Sequence, residues 1–468
     1  MQTATWMFWN TRRYMVSFLA FFGFLMIYVL RVNLSIAIVK MTEKQTVTDV
    51  YGNITYIREF DWDTRLQGYV LSSFFYGYIA TPLVGGWLAA RIGGKRVFGL
   101  GIAVTALFTC ITPPATRLSI HLLLVIRVIE GLFEGVTYPA INAIMANWAP
   151  PLERSRLTTL AYAGSFVGTV LAMPICSIMA ERLGWSSLFY VFGVMGLIWY
   201  VCWCYVVSDR PEDDNSISDA ELKYIKDSLG SVDDNKISHP WKAMLSSPAV
   251  WAIITAHCSE NWGFYTMITQ LPTFMNDALD FDLEKAGFLS ALPYFAMATM
   301  LVISGQLADC LRAREILGTT QVRKSFTCLA FVCQAIFMTC TACVLKAEVA
   351  VSCITLAIGL GGFAWSGFCV NYLDIAPRHA SVLFGIGNTV ATLPGIISPV
   401  LTGHLVRDKT ADEWRIVFLI ASGFYIVGAI VYGLLASGEQ QHWATKVSCS
   451  NNKAHDSRDN APTDVETR

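Results

Sequence analysis

Residues 85–96 read GGWLAARIGGKR, and residues 305–314 read GQLADCLRAR. Each stretch ends an apolar run with a glycine, small residues and a basic cluster. A second pair follows in register: WAPPLERSRL, Trp148 to Leu157, and DIAPRHASVL, Asp374 to Leu383. The two pairs stand at matching places in the two halves of the chain, so one helical unit has been used twice. Gly86, Arg91, Gly94 and Arg96 in the first copy, with Asp309 and Arg312 in the second, are the expected gating residues at the mouths of the bundle.

Working outward, apolar segments occupy 14–38, 67–90, 97–115, 120–147, 157–181, 186–207, 248–275, 286–309, 325–345, 349–374, 380–406 and 415–436. About 20 apolar residues cross a bilayer core as a helix, so these predict about twelve spans. Of the 468 residues, 54% are hydrophobic and 15% charged, against about 25% charged in soluble domains. The expectation is an all-α membrane protein. Residues 1–13 form a cytosolic N-terminus, 14–207 and 248–436 two six-helix halves, 208–247 a cytosolic linker, and 437–468 a disordered cytosolic tail. Six-helix halves in parallel repeat, rocking about a midplane site, are the plan of major facilitator transporters.

Short loops rich in Lys and Arg lie on the cytosolic side. Arg12, Arg13, Arg91, Lys95, Arg96, Arg154, Arg156, Arg312, Arg314, Arg323, Lys324 and Arg378 all fall on one side, which puts both termini there. The loop 39–66 then faces the opposite side and carries Asn53-Ile54-Thr55, a glycosylation acceptor. The first apolar run continues past the length of a signal-peptide core. With 34 Lys and Arg against 35 Asp and Glu, no nucleic-acid partner is implied. The 13 Cys form no extracellular disulfide pattern, no metal or nucleophile–base cluster is evident, and neither enzyme activity nor a cofactor is expected. The partners expected are a small anion and the bilayer, with the protein a monomer. Gly164, Ser165 and Gly168 in the fifth span, and Gly385, Gly387, Gly395, Pro394 and Pro399 in the eleventh, suit close and bent packing.

Ionisable side chains within a span are functional candidates. In the fourth span Arg127, Glu130, Glu134, Tyr138 and Asn142 are spaced 3, 4, 4 and 4, which puts them on one helical stripe. That stripe must face a cavity or a polar helix. Tyr28, Arg31 and Ser35 share a face of the first span, His257, Glu260 and Phe264 lie within two turns of the seventh, and Asn371 and Asp374 end the tenth. Arg31 and Arg127 bring two positive charges; Glu130, Glu134 and Glu260 bring three negative. Low dielectric favours the neutral carboxyl. Two protons taken up would leave the cavity net positive, ready for an anion on a guanidinium fork. Substrate binding is therefore assigned to Arg31, Arg127, Tyr28, Tyr138, Asn142, Phe264 and Asn371, and proton coupling to Glu130, Glu134, Glu260 and His257.

RVNLSIAIV (Arg31 to Val39), EGLFEGVTYPA (Glu130 to Ala140), WAPPLERSRL, GWSSLFYVFG (Gly184 to Gly193), SENWGFY (Ser259 to Tyr265) and NYLDIAPRHA (Asn371 to Ala380) resemble the anion transporters of the sialin, vesicular glutamate transporter and sodium–phosphate cotransporter family. The likeness runs from about 14 to 445 and is nearest to the sialin-like and insect branch. It implies a major facilitator fold and transport of small anions. It also implies substrate binding at Arg31 and proton coupling at Glu130 and Glu134. The chain departs from the family at Asn142 and Tyr372, where histidines are usual, and from the vesicular glutamate carriers at Leu71, where they have histidine, and at Glu260, where they have arginine. The reading is proton-coupled symport of organic anions. Sodium-dependent phosphate or organic anion cotransport is the alternative, with sodium then the coupling ion. Vesicular glutamate filling, passive anion conductance and nutrient sensing rank lower. Plasma, lysosomal and vesicular membranes all stand as locations.

Overall fold

The structure, a computed structural model, describes residues 11–43, 45–48, 54–150, 154–229, 240–344, 346–376 and 379–445. Among them helices dominate. In the first half they are α1 (Arg12–Thr42), α2 (Thr64–Tyr78), α3 (Pro82–Ile92), α4 (Gly94–Leu118), α5 (Ile120–Gly135), α6 (Thr137–Trp148), α7 (Arg154–Leu183) and α8 (Ser186–Val206). After α9 (Asp219–Leu229) and α10 (Trp241–Leu245), the second half holds α11 (Pro248–Asp277), α12 (Leu283–Ala313), α13 (Thr319–Cys343), α14 (Ala347–Ala364), α15 (Val370–Ile375), α16 (Ala380–Val390), α17 (Leu393–Leu405) and α18 (Ala411–Leu435). The one departure from the all-helical expectation is a small antiparallel hairpin, β1 (Gln45–Thr48) with β2 (Ile54–Ile57), in the loop after the first span. Asn53 lies outside the described residues.

Nine helices or helix pairs among the described residues are long and apolar enough to cross a membrane. The other three expected traverses are α2–α3, α5–α6 and α11, and each has a local cause. The fourth span breaks between α5 and α6 because Pro139 cannot donate to the carbonyl of Gly135. The second breaks at Ile79–Thr81 ahead of Pro82. α11 stays whole, but His257, Ser259, Glu260 and Asn261 lower its hydropathy.

In lipid every polar group needs an internal partner, and the threonines of α4 show how this is met. Thr105, Thr109, Thr112 and Thr116 each donate to the carbonyl four residues earlier, at 2.7–2.9 Å. Capping side chains start other helices: Asp63 accepts from Leu66 N at 2.9 Å, and Asp282 from Lys285 N at 2.7 Å. The twelve described cysteines are free thiols.

Two glycines bring α2 and α5 into backbone contact. A Cβ on Gly77 would strike the Val128 carbonyl, and one on Gly131 would strike that of Phe74. This reciprocal approach sets the height of Phe74 beside Arg127. Gly131→Ala is expected to destabilise the fold by about 2–3 kcal/mol, seen as a lower unfolding midpoint in detergent.

The halves meet closely on the hairpin face. Thr64 Oγ1 donates to the Gly403 carbonyl at 3.1 Å, Gly68 abuts the Pro399 carbonyl, and Gly287 abuts Ser177. On the basic-loop face the corresponding approach is looser: the nearest atom to a Cβ on Gly385 is Leu83 Cδ2 at 3.5 Å.

Part of the 208–247 stretch is packed rather than a free linker. Arg12 pairs with Asp214 at 2.7 Å and Arg13 with Glu221 at 2.9 Å. Ile225 of α9 is buried in the cluster that includes Val16 and Trp148. The tail likewise begins with contacts, which corrects the expectation of disorder for its first residues. Gly438 N donates to Thr320 Oγ1 and Gln441 N to the Ile375 carbonyl, both at 2.9 Å. Residues 446–468 lie outside the described residues.

Candidate functional site

Arg31 is the centre of the candidate site. It sits mid-way along α1, is buried, and its Nε donates to Glu134 Oε1 at 2.6 Å, with Nη2 also on that oxygen. Both side chains are inaccessible, at 5% and 1% exposure. Three rings surround the guanidinium: Tyr28 at 4.8 Å, and Phe74 and Tyr78 of α2 at 5.0 Å. Aromatic faces stabilise a cation that has left water. They also leave Glu134 as the counter-charge. The second carboxylate oxygen of Glu134, Oε2, is buried without a hydrogen-bond partner.

Arg127 and Glu130 form a separate, closed unit. Arg127 Nη1 donates to Glu130 Oε2 at 2.6 Å, one turn along α5, and Thr109 Oγ1 of α4 donates to Glu130 Oε1 at 2.9 Å. The Arg127 guanidinium lies 5.3 Å from the Phe74 ring centre, so one ring touches both arginines. The stripe is thus buried throughout α5, with its charges divided between two pairs. Arg127 and Glu130 pair with each other and Glu130 with α4, although Arg127 Nε is buried without a partner, and only Glu134 faces α1.

Past the break, Tyr138 hydrogen-bonds both Tyr28 and Ser165 at 3.2 Å. Asn142 is exposed and accepts from Tyr162 Oη at 2.9 Å. Tyr28, Tyr138 and Asn142 therefore form a polar path from Arg31 toward the basic-loop face.

The second half presents a different set from the one expected. Tyr265 of α11 packs on Phe75 of α2 at 4.7 Å and lies within electrostatic reach of Arg31 and Glu134. Phe264, half-buried, stacks edge-on to Tyr294 at 5.8 Å. Glu260 does not join the arginines. It is buried against α13, with Gln334 Nε2 at 3.5 Å from its Oε1, and Gly361 leaves the room it occupies. His257 does not pair with Glu260 either. The two lie one turn apart on α11, yet the His257 ring sits among Trp365, Phe368 and Phe384, with Nδ1 3.4 Å from Tyr372 Oη. Tyr372, the departure from the usual histidine, is thus the partner of His257. Asn371 is also removed from the cavity set: its Nδ2 donates to Tyr432 Oη of α18 at 2.9 Å.

The expected gating residues are spread along the basic-loop face. Gly94 is packed against the Ala140 carbonyl, where a Cβ would come to 2.7 Å, and Gly86 has Pro139 as its nearest neighbour at 3.8 Å. Arg91 is exposed and lies over Trp87 at 5.3 Å; Arg96 is exposed and Arg312 half-buried. The Asp309 side chain lies outside the described residues. This face also holds a buried ion pair that the motif reading did not identify. Arg323, 2% exposed, pairs with Asp374 at 2.7 Å. It also donates to the Ser366 carbonyl at 2.8 Å, within the π-helical turn Trp365–Cys369. Such turns shift the backbone register and free carbonyls. Asp374→Ala strands the buried guanidinium and is expected to cost about 3–5 kcal/mol, read as a fall in the thermal midpoint.

Sequence reasoning missed Phe74, Tyr78, Thr109 and Tyr265. The SENWGFY motif contains Tyr265. Phe74 and Tyr78 share a helical face four residues apart on the second span, but nothing local marks an aromatic as a neighbour of arginine. Among the described residues there is no group of three His, Cys, Asp or Glu able to hold a metal.

This architecture, broken helices in two repeated halves with buried charge near their junction, is that of a secondary transporter. Over residues 14–399 the sequence matches the Major Facilitator Superfamily, and the chain belongs to it. Solved transporters share the fold at low identity. A bacterial homologue of the human lysosomal transporter Spinster, in an inward-facing and unoccupied conformation, gives a TM-score of 0.69 at 13% identity, covering 91% of this chain and 97% of that one. A D-xylose–proton symporter gives 0.67 at 13%, covering 92% and 99%. Within the superfamily the chain is 43% identical to sialin of Ovis aries over 449 residues, 92% of this chain and 90% of that protein. It is 40% identical to vesicular glutamate transporter 2 of Bos taurus over 447 residues, 94% of this chain and 77% of that protein. It is therefore a multi-pass membrane protein of the anion transporter family that contains sialin and the vesicular glutamate transporters.

Proposed function

We propose that this protein carries small organic anions, acidic sugars or carboxylates, together with protons by alternating access. The observation that supports this is the buried Arg31–Glu134 pair. The five-charge count from sequence reduces to two charges, because Arg127 and Glu130 neutralise each other and Glu260 sits in the other half. Arg31 and Glu134 together are neutral. One proton on Glu134, not two, leaves an uncompensated guanidinium in a dry, aromatic site.

Arginine does not give up its proton, so the vacated fork takes an anionic oxygen in place of Glu134. Tyr28 and Tyr138 offer hydroxyls, and Tyr265 of the other half closes the site from across the junction. Proton and anion bind together because each alone leaves a buried charge unpaired. That linkage is what symport requires.

With the basic loops in the cytosol, the close contacts of the hairpin face make the present conformation closed to the lumen or exterior. The path through Tyr138 and Asn142 then leads inward. The test is uptake by proteoliposomes with sodium replaced by N-methylglucamine. Full proton-driven uptake supports the reading. Uptake only after sodium is restored refutes it and favours sodium cotransport.

A further inference from the structure

A second polar site lies where the halves meet on the hairpin face, about three turns along α1 from Arg31. A cavity of about 30 Å³ is lined by Val39, Thr42, Glu43 and Gln67 of the first half and by Thr273, Asn276, Asp277 and Lys409 of the second. Apart from Val39 and Lys409, the free ends of these side chains are oxygens. Gln67 commits its amide nitrogen to the Trp62 carbonyl and Asn276 its own to the Phe281 carbonyl, both at 3.1 Å. The amide oxygens remain. Thr42 spends its hydrogen on the Ile38 carbonyl at 2.9 Å, leaving lone pairs.

Thr273 Oγ1 and Asp277 Oδ2 are both buried without any hydrogen-bond partner. On the same helix Thr266 and Thr269 tie their hydroxyls to the carbonyls four residues back, at 2.6 and 2.7 Å. Thr273 is the one left turned to the cavity. A buried acceptor without a donor is costly, and here two stand together.

The charges fix the valence. Lys409 Nζ holds Asp277 Oδ1 at 2.9 Å, and Lys40 Nζ holds Glu43 Oε2 at 2.8 Å. Each carboxylate already has one positive partner, so the lining has no net charge: it excludes a divalent ion, and a monovalent one would be held by the oxygen dipoles rather than by net charge. The volume is that of about one water molecule. Carboxylate and carbonyl oxygens are the donors that hard cations take.

We propose that this cavity binds a monovalent cation of sodium's size, and that the bound cation holds the two halves closed on the hairpin face. Its ligands come from both halves, so it forms only in this state, and a ligand that binds one state shifts the population toward it.

The full-length protein in lipid nanodiscs, without anionic substrate, is melted in sodium, potassium or choline chloride at equal ionic strength. Sodium is expected to raise the midpoint saturably over choline, and potassium to raise it less. Thr273→Val, which leaves both lysine bridges in place, is expected to raise the half-saturating sodium concentration by roughly tenfold or more, the scale for removing a partner at a metal site. Thr269→Val, the same change one turn earlier, is expected to keep the wild-type response and controls for folding. Equal midpoints in sodium and choline, equal responses to sodium and potassium, or a Thr273→Val protein that responds as wild type would each overturn the proposal and leave water as the occupant. Because the proton-driven reading is tested without sodium and at other residues, either can fail while the other stands.

Discussion

Glu134→Gln is expected to abolish proton-driven accumulation while preserving anion exchange. The amide keeps the shape of the carboxyl but carries neither its charge nor its titration. Arg31 is then permanently without its counter-ion and binds anion at every pH. A gradient of one pH unit supplies about 1.4 kcal/mol per proton, which drives about tenfold accumulation of a monovalent anion per coupled proton. Wild-type vesicles should approach that ratio. Glu134→Gln vesicles should stay near equality with the bath, yet still exchange internal labelled anion for external unlabelled anion. The pH dependence follows with a definite sign. In the wild type, anion affinity rises as pH falls, because protonation of Glu134 releases Arg31. In the mutant it is flat. A Glu134→Gln protein that accumulates anion normally under a pH gradient contradicts the mechanism.

The second large effect is at Arg31. Arg31→Lys keeps the charge but loses the planar fork, its bidentate grip on an anionic group, and its fit among Tyr28, Phe74 and Tyr78. Arg31→Ala also strands Glu134, which is 1% exposed. Removing one partner of a buried pair costs the fold about 3–5 kcal/mol, seen as a lower thermal midpoint, and it also removes the group proposed to hold the anion. Both variants are expected to lose uptake and exchange alike. That pattern separates Arg31, which holds the substrate, from Glu134, which holds the proton. Arg127→Lys supplies the contrast. Its partners are Glu130 within α5 and the Phe74 ring, so its effect should fall mainly on the thermal midpoint.

Much of this was legible in the sequence, and the limits have physical causes. Span lengths, basic loops and the repeated GGWLAARIGGKR and GQLADCLRAR stretches are local patterns, and the fold follows from them. Arg31 and Glu134 stood out because charge in lipid is rare. What the sequence could not show was which charge meets which. Helical spacing put Arg127, Glu130, Glu134 and Tyr138 on one stripe, but Pro139 interrupts that helix, and neighbours on α1 and α4 divide the stripe into two separate pairs. His257 and Glu260 looked like a couple because they are close along the chain; around the helix they point to different neighbours. Asn371 was read as a cavity residue, yet it serves Tyr432, and Asp374 at the same helix end serves Arg323. The docking of α9 on Arg12 and Arg13 depends on contacts more than 200 residues apart in sequence, and no local pattern reports such contacts.

The most direct test of the central claim is a stoichiometry. Purified protein is placed in sodium-free proteoliposomes under an imposed pH gradient, and radiolabelled sialic acid, glucuronate, glutamate, aspartate and phosphate are offered in turn. Proton entry is followed with an internal pH dye. One proton should enter with each monovalent anion carried, and a protonophore should collapse the accumulation. Anion entry with no proton flux, or none until sodium is supplied, would contradict the exchange of Glu134 for substrate at Arg31.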